Sequence, residues 1–390
     1  MKLGFVVPRY GADVVGGAET LARSFAEHLA ADRYDVDVLT TCARDHHTWE
    51  NVLPPGEERC GDVRVLRFPV APRDVNRFFA VQERISAQLP IPLDEELEWA
   101  AGSVNSEELY EWLAEHGREY DALLFLPYLF GTTLLGSRVD PQRSLLIPCL
   151  HDEPFAATRV VRHLFQSVRG LLFNSVPERR LAARLFAVGA SSPVVGMGFD
   201  SPSAPADAPA FRARYGLDGD YLLYFGRKED GKNVSLLLDG FAACRTPGLR
   251  LVVAGDGVLD RSRMPPGVVD LPRLEEDEKR AACAGAVAVC QPSTNESFSI
   301  VLMEAWLQAT PVLVNARCEV TRHHVRRSGG GLYFDGRREL AAEVDWLSRN
   351  PEEARRLGEA GRAFVLEEYG WPTVLERFER GLASILGGNA

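Results

Sequence analysis

Asn295-Glu296-Ser297-Phe298-Ser299-Ile300-Val301-Leu302-Met303-Glu304-Ala305 holds two carboxylates separated by seven residues, most of them apolar. A helix starting near Phe298 puts Glu296 in the loop before it and Glu304 in its second turn. The N–H groups of Phe298–Ile300 would then be open to an anion. Glu304 would sit roughly 9 Å along the axis. One ligand with phosphates at the helix tip and a ribose beside Glu304 would fit that spacing. The simpler readings are a charge complementing the helix dipole for Glu296 and an exposed helix carboxylate for Glu304. Yet Glu304 lies between Val301-Leu302 and Ala305-Trp306, and a carboxylate in such a helix needs a partner.

Three further segments could meet an anion or a reacting group. Gly226-Arg227-Lys228-Glu229-Asp230-Gly231-Lys232-Asn233 joins a strand to a helix. Arg227, with its fork of donors, and Lys232, a point charge, could converge on one diphosphate; with Glu229 and Asp230 between them, a solvated, salt-bridged loop is the other reading. Gly16-Gly17-Ala18-Glu19 opens a helix after a strand, where paired glycines allow close approach and helix N–H groups suit an anion; a plain turn would look the same. His151-Asp152 follows the run Ser144–Leu150, at the carboxyl end of a strand. His46-His47 and His323-His324 are adjacent pairs whose side chains should point apart into solvent, and no metal set is formed. Gly255-Asp256-Gly257 is not a nicotinamide fingerprint, because no GxGxxG opens the first βα unit.

These segments need a frame. Leu3–Pro8, Asp35–Thr41, Asp62–Val70, Asp121–Pro127, Ser144–Leu150 and Gly170–Ser175 read as strands, with helices after Gly17 and around Pro177–Val188. The alternation restarts with strands Tyr221–Phe225, Leu249–Ala254, Val268–Leu271, Ala286–Cys290 and Pro311–Asn315. Helices are expected at Asn233–Cys244, Glu275–Ala284 and Phe298–Gln308, with two or three more over Arg337–Leu386. Such alternation predicts parallel sheets with helices on both faces. Ser201–Pro209, rich in Pro, Ala and Ser, is the expected linker. The expected division is residues 1–195, plus a last helix at about 371–390, and residues 196–370. Two α/β sheets suggest a cleft reached by the carboxyl ends of their strands.

Composition narrows the function. The net charge is −11, and neither half has the basic excess that nucleic-acid binding needs. Of 44 basic residues only Lys2, Lys228, Lys232 and Lys279 are lysines, so a lysine in a glycine-rich loop stands out. The seven cysteines lack CxxC spacing and read as free, mostly buried thiols of a reducing cytoplasm. No apolar run is long enough to span a bilayer, and no signal-peptide core is expected near the start.

Taken in order and spacing, Gly16-Gly17-Ala18-Glu19, His151-Asp152, Gly226-Arg227…Lys232, Gly255-Asp256-Gly257 and Glu296-x7-Glu304 make the chain resemble the GT-B retaining glycosyltransferases of glycosyltransferase family 4, from Leu3 to the final helix. The resemblance implies an α/β fold of two Rossmann-like parallel-sheet domains facing a central cleft, the C-terminal helix crossing back to the N-terminal domain. It implies an acceptor-binding N-terminal domain and a nucleotide-sugar donor held mainly by the C-terminal domain. Arg227 and Lys232 would neutralise the diphosphate, Glu304 would accept from the ribose, Glu296 from the sugar. The backbone near Ser299 and Ile300 would hold phosphate, Leu274 would lie near the base, and Gly16 and Gly17 would close on the phosphates. His151 would sit by the reaction centre. The family commonly has glycine where Ser297 and Ser299 stand here.

The implied reaction is sugar transfer with retention, by an EC 2.4 enzyme needing no metal and no cofactor besides the nucleotide-sugar donor. The acceptor is a glycan, a lipid-linked or a small molecule, in bacterial polysaccharide or glycoconjugate synthesis. The expected location is the cytoplasm, with at most peripheral contact to the inner face of the membrane, and nucleic acid is not expected as a partner. Asn76–Trp112, with Phe78, Phe79, Trp99, Tyr110 and Trp112, could contact a lipid-linked acceptor or be local core. A sugar-nucleotide epimerase of the same fold and a non-catalytic partner subunit are the competing readings. The retained Glu296, Glu304, Arg227 and Lys232 speak against the latter.

Overall fold

Leu3, Phe5, Val38, Leu124 and Leu145 are wholly buried, as strands covered by helices on both faces must be. The computed structural model describes residues 1–14, 16–189 and 192–387. Val15, in the glycine-rich loop, and residues 388–390, at the end of the expected last helix, lie outside them. The chain divides into two compact units, Met1–Gly198 with Val374–Ala390, and Phe199–Thr373.

In the first unit the strands are β1 (Lys2–Val6), β2 (Asp35–Thr41), β3 (Gly56–Cys60), β4 (Val63–Phe68), β5 (Ala122–Phe125), β6 (Ser144–Leu146) and β7 (Gly170–Leu171). Their order is β3-β4-β2-β1-β5-β6-β7. All pairings are parallel except β3 with β4. The helices are α1 (Gly17–Asp32), α2 (Val75–Ser86), α3 (Leu93–Gly102), α4 (Glu107–His116), α5 (Gly131–Leu134), α6 (Arg159–Ser167) and α7 (Val176–Phe186). The chain runs from β1 to β2 on one side and returns to β5 on the other, so the order reverses between β1 and β5. The aromatic excursion is largely core: Trp99 is buried, stacking on Phe78 at 6.5 Å and on Phe155 at 5.8 Å. Trp112 packs on Tyr120 at 5.8 Å. Phe79 stays exposed, as do Val75, Leu89, Leu93 and Leu97 nearby.

In the second unit the strands are β8 (Tyr221–Phe225), β9 (Arg250–Ala254), β10 (Val268–Leu271), β11 (Ala288–Gln291), β12 (Val312–Asn315) and β13 (Gly331–Phe334), all parallel, in the order β10-β9-β8-β11-β12-β13. The order reverses between β8 and β11. The helices are α8 (Ala208–Tyr215), α9 (Val234–Ala242), α10 (Glu276–Gly285), α11 (Ile300–Leu307), α12 (Glu319–Ser328), α13 (Arg337–Arg349) and α14 (Pro351–Glu368). Leu237, Leu251, Leu313, Leu340 and Val344 centre its core. The expected linker is partly helix: the Asp207 side chain accepts from Ala210 N at 3.0 Å and caps α8, which takes Ala208 and Pro209 into its first turn. A last helix, α15 (Trp371–Leu386), has its body in the first unit. There Phe378 meets Phe25 at 5.4 Å. Among the described residues no helix is long and apolar enough to cross a membrane.

Candidate active site

The second unit holds most of the candidate residues. After β8 the chain turns through Gly226 at φ 153°, and after β9 through Gly255 at φ 140°. A Cβ on Gly255 would lie 2.0 Å from the Gly226 carbonyl oxygen, so the two loops can stack only because it is glycine. Gly226 N then donates to Ala254 O at 3.0 Å and Lys228 N to Asp256 O at 2.8 Å. Gly255-Asp256-Gly257 is therefore a packing device that supports the loop carrying Arg227 and Lys232.

Arg227 is half-exposed, its Nη2 3.1 Å from Glu229 Oε1. Lys232 Nζ lies 2.8 Å from Glu296 Oε1, the two side chains being 22% and 12% exposed. The two cations thus have separate carboxylate partners rather than a shared one. Asn233, left-handed at φ 58°, caps α9. Its Nδ2 donates to Pro292 O at 3.3 Å, and Asn315 Nδ2 donates to the same oxygen at 3.0 Å. The loops after β8 and β11 and the end of β12 are tied together there. Lys232–Glu296 bridges the point where the strand order reverses, the usual place for a ligand in an open α/β sheet.

The helix behind Glu296 begins at Ile300, two residues later than the expected Phe298. Phe298 is buried edge-on against His324 at 5.3 Å and Tyr369 at 5.1 Å, so the chain must turn at Ser299 before it can coil. Ser299 turns it with φ 72° and ψ 81°, a conformation that costs a non-glycine residue roughly 1 kcal/mol. Glu304 is consequently the fifth residue of α11, about 6 Å along the axis. Ser299 is 6% exposed and its Oγ has no hydrogen-bond partner. A buried hydroxyl without a partner beside a helix N-terminus is a place for an anion's oxygen. Leu274 is buried in the loop between β10 and α10.

The partner that Glu304 needs is Lys279. Its Nζ lies 2.5 Å from Glu304 Oε1 and 2.8 Å from Glu276 Oε2. Burial pushes the Glu304 carboxyl above its ordinary value, against the opposing pull of Lys279. Burial also works against a charged Lys279, but Glu304 and Glu276 outweigh it and hold the ammonium well above its ordinary range. Lys228 is nearly inaccessible, 2.6 Å from both Asp270 Oδ1 and Leu271 O. Sequence reasoning passed over Lys228 and Lys279, although lysine scarcity marked them.

In the first unit the glycine pair divides its tasks. A Cβ on Gly16 would fall 2.0 Å from Glu19 Oε2, whereas Gly17 faces open space. Glu19 lies back over the start of α1 and holds Arg9, Oε1 to Nη2 2.6 Å, both side chains buried. Arg9 Nη1 donates to Arg44 O at 3.1 Å. His151 stands two residues after Cys149, which is left-handed at φ 52°. Its Nδ1 is 3.9 Å from Glu153 Oε1, and that oxygen accepts from Tyr128 Oη at 2.5 Å. Asp152 pairs at the surface with Arg184 at 2.6 Å. Buried Glu178 fixes the start of this loop, accepting from Leu150 N at 2.7 Å and Asn174 N at 2.6 Å. Burial pushes its carboxyl up to about 8, against those hydrogen bonds.

Two expectations about histidines fail. His324 is wholly buried on α12 among Phe298, Phe364 and Tyr369, and burial pushes it down to about 3, so it is a neutral core ring. The rings of His46 and His47 lie 3.8 Å apart rather than pointing away from each other. Among the described residues no cluster of His, Cys, Asp and Glu could hold a metal ion. All seven cysteines are free.

Known structures share this architecture. Sucrose-phosphate synthase from Thermosynechococcus elongatus superposes with a TM-score of 0.75 over all of both chains at 18% identity. HepE from Anabaena, in complex with UDP and glucose, does so with a TM-score of 0.73 over 98% of this chain and 100% of its own at 17% identity. The fold is GT-B. Residues 209–364, within the second unit, match the family Glycosyl transferases group 1. A glycogen synthase from Thermus thermophilus is 37% identical over 145 residues, 35% of this chain and 33% of the synthase. A D-inositol 3-phosphate glycosyltransferase from Frankia alni is 35% identical over 192 residues, 43% of this chain and 46% of its own. The chain thus spans a third to a half of the length of these two relatives.

Proposed function

We propose that this protein is a retaining glycosyltransferase that moves a sugar from a nucleotide-diphosphate sugar to a glycan, lipid-linked or small-molecule acceptor in bacterial polysaccharide or glycoconjugate synthesis. The observation that carries the reading is the grouping at the carboxyl ends of one sheet: Lys232–Glu296, Lys279–Glu304 and the N-terminus of α11 with the unpaired Ser299 hydroxyl. Arg227 and Lys232 take the charge of the diphosphate as the anomeric C–O bond breaks, and the α11 N–H groups add to it. This neutralisation needs no metal. Glu304 accepts from the ribose and Glu296 from the transferred sugar, while Leu274 borders the base. The acceptor hydroxyl gives its proton to the departing phosphate oxygen on the same face of the sugar. Gly17, with open space where a side chain would be, and His151 act from the first unit, which takes the acceptor.

The test is a thermal-shift screen with UDP-, GDP-, ADP- and dTDP-sugars, then transfer assays and two variants. Glu304→Gln should weaken every nucleotide that binds. Glu296→Gln should leave nucleoside-diphosphate binding nearly intact and lower the transfer rate, because lost sugar contacts act on the transition state. Identical profiles for the two variants would refute the division of roles. Interconversion of epimeric donors with no transfer would make the protein an epimerase.

A further inference from the structure

Lysine is the exception in this chain, four residues against forty arginines, and three of the four stand at the strand ends of the second unit. Two of them meet the two glutamates of the seven-residue spacing, one each: Lys232 with Glu296 at 2.8 Å and Lys279 with Glu304 at 2.5 Å. The Lys279 contact is not a surface pair, since both side chains are 19% exposed. Nor does its position on α10 favour a cation. Lys279 is in the first half of that helix, where the macrodipole favours negative charge. What holds it are Glu304 on α11 and Glu276 one turn back at 2.8 Å. Its ammonium also lies 5.8 Å from the centre of the Phe225 ring, the last residue of β8.

The choice of lysine has a chemical consequence. An ammonium is a point charge that touches one carboxylate oxygen, whereas a guanidinium grips both. Lys279 meets Oε1 of Glu304, which leaves Oε2 able to accept from a ligand hydroxyl. We propose that Lys279 is a positioning residue for the nucleotide sugar-ring hydroxyls: it keeps Glu304 charged and fixed by one oxygen, so that ribose recognition belongs to the Lys279–Glu304 pair rather than to Glu304 alone. This rests on the ribose role of Glu304 given above. Removing the ammonium leaves a buried carboxylate that protonates or swings toward solvent, and in either form it is a poorer acceptor.

A double-mutant cycle on the full chain tests this. UDP, GDP and ADP are titrated, and the tightest binder is compared with its 2′-deoxy counterpart in wild type, Lys279→Met, Glu304→Gln and the double variant. Lys279→Met should lower nucleotide affinity about tenfold or more and bring the ribose-to-deoxyribose ratio toward one, as expected for loss of a charged hydrogen bond. In the Glu304→Gln background the same change should cost nothing further, because a residue acting through another has no effect once that other is gone. An equal loss in both backgrounds, or an unchanged ratio in Lys279→Met, overturns the proposal. If Glu304→Gln itself keeps the wild-type ratio, the ribose role of Glu304 fails and takes the proposal with it. Should Lys279→Met not fold, Lys279→Gln carries the same comparison.

Discussion

The two units place carboxylates at their strand ends in opposite ways. In the first, Glu19 and Arg9 are closed on each other at 2.6 Å, their side chains 8% and 7% exposed. Glu178 spends both oxygens on backbone N–H groups. In the second, Lys232–Glu296 and Lys279–Glu304 keep about a fifth of their lysines in solvent, and a serine hydroxyl beside them has no partner. The same chemistry serves architecture where a carboxylate is closed off inside the protein, and binding where its partner stays within reach of solvent.

That contrast can be broken most forcefully at Glu19. Glu19→Ala strands a buried guanidinium and should destabilise the protein by about 3–5 kcal/mol. Urea unfolding of variant and wild type measures it. A loss below about 1 kcal/mol would place Arg9–Glu19 with the weak surface pairs.

Lys232 and Arg227 should behave the other way. Either alanine variant should weaken nucleoside-diphosphate binding by about 1.5–3 kcal/mol, tenfold or more, and leave bare nucleoside binding nearly unchanged. The unfolding midpoint of the Arg227 variant should move little, because its exposed pair with Glu229 contributes about 0–1 kcal/mol. Calorimetric titrations with both ligands decide it. Equal losses for diphosphate and nucleoside would mean that these cations do not meet phosphate.

What the sequence announced and what it concealed follow from the same physics. Tyr221–Phe225 was legible because a strand covered on both faces must be a continuous apolar run, and YLLYF is one. Gly56–Cys60 was not: GEERC is an antiparallel edge strand, exposed along most of its length, and nothing apolar marks it. Beta-branched and apolar residues alone could not place the start of α11, since the two-residue delay comes from Phe298 seeking His324 and Tyr369, contacts between distant segments. The same contacts turned His324 from an expected surface residue into core. The site was legible as residue types at set spacings, in Glu296, Glu304, Arg227 and Lys232. Their partners were not, because Lys279 lies 25 positions from Glu304 and no local pattern joins them.

The smallest expected effect lies at Ser299, where structure and binding compete within one residue. Its φ of 72° suits glycine, and relief of that strain should stabilise Ser299→Gly. The gain is partly cancelled by the greater freedom of glycine in the unfolded chain, roughly 0.5–1 kcal/mol, so the net change should be an increase of at most about 1 kcal/mol. The hydroxyl that disappears is buried and unpaired. If it donates to the nucleotide's phosphate, affinity for nucleoside diphosphate should fall by about 0.5–1.5 kcal/mol, while nucleoside binding stays put. Stability and affinity would then move in opposite directions in one variant, measured by urea unfolding and by titration. A variant that is both more stable and an equally good binder would show that the serine hydroxyl meets no ligand, and that the second unit holds its phosphate with backbone and cations alone.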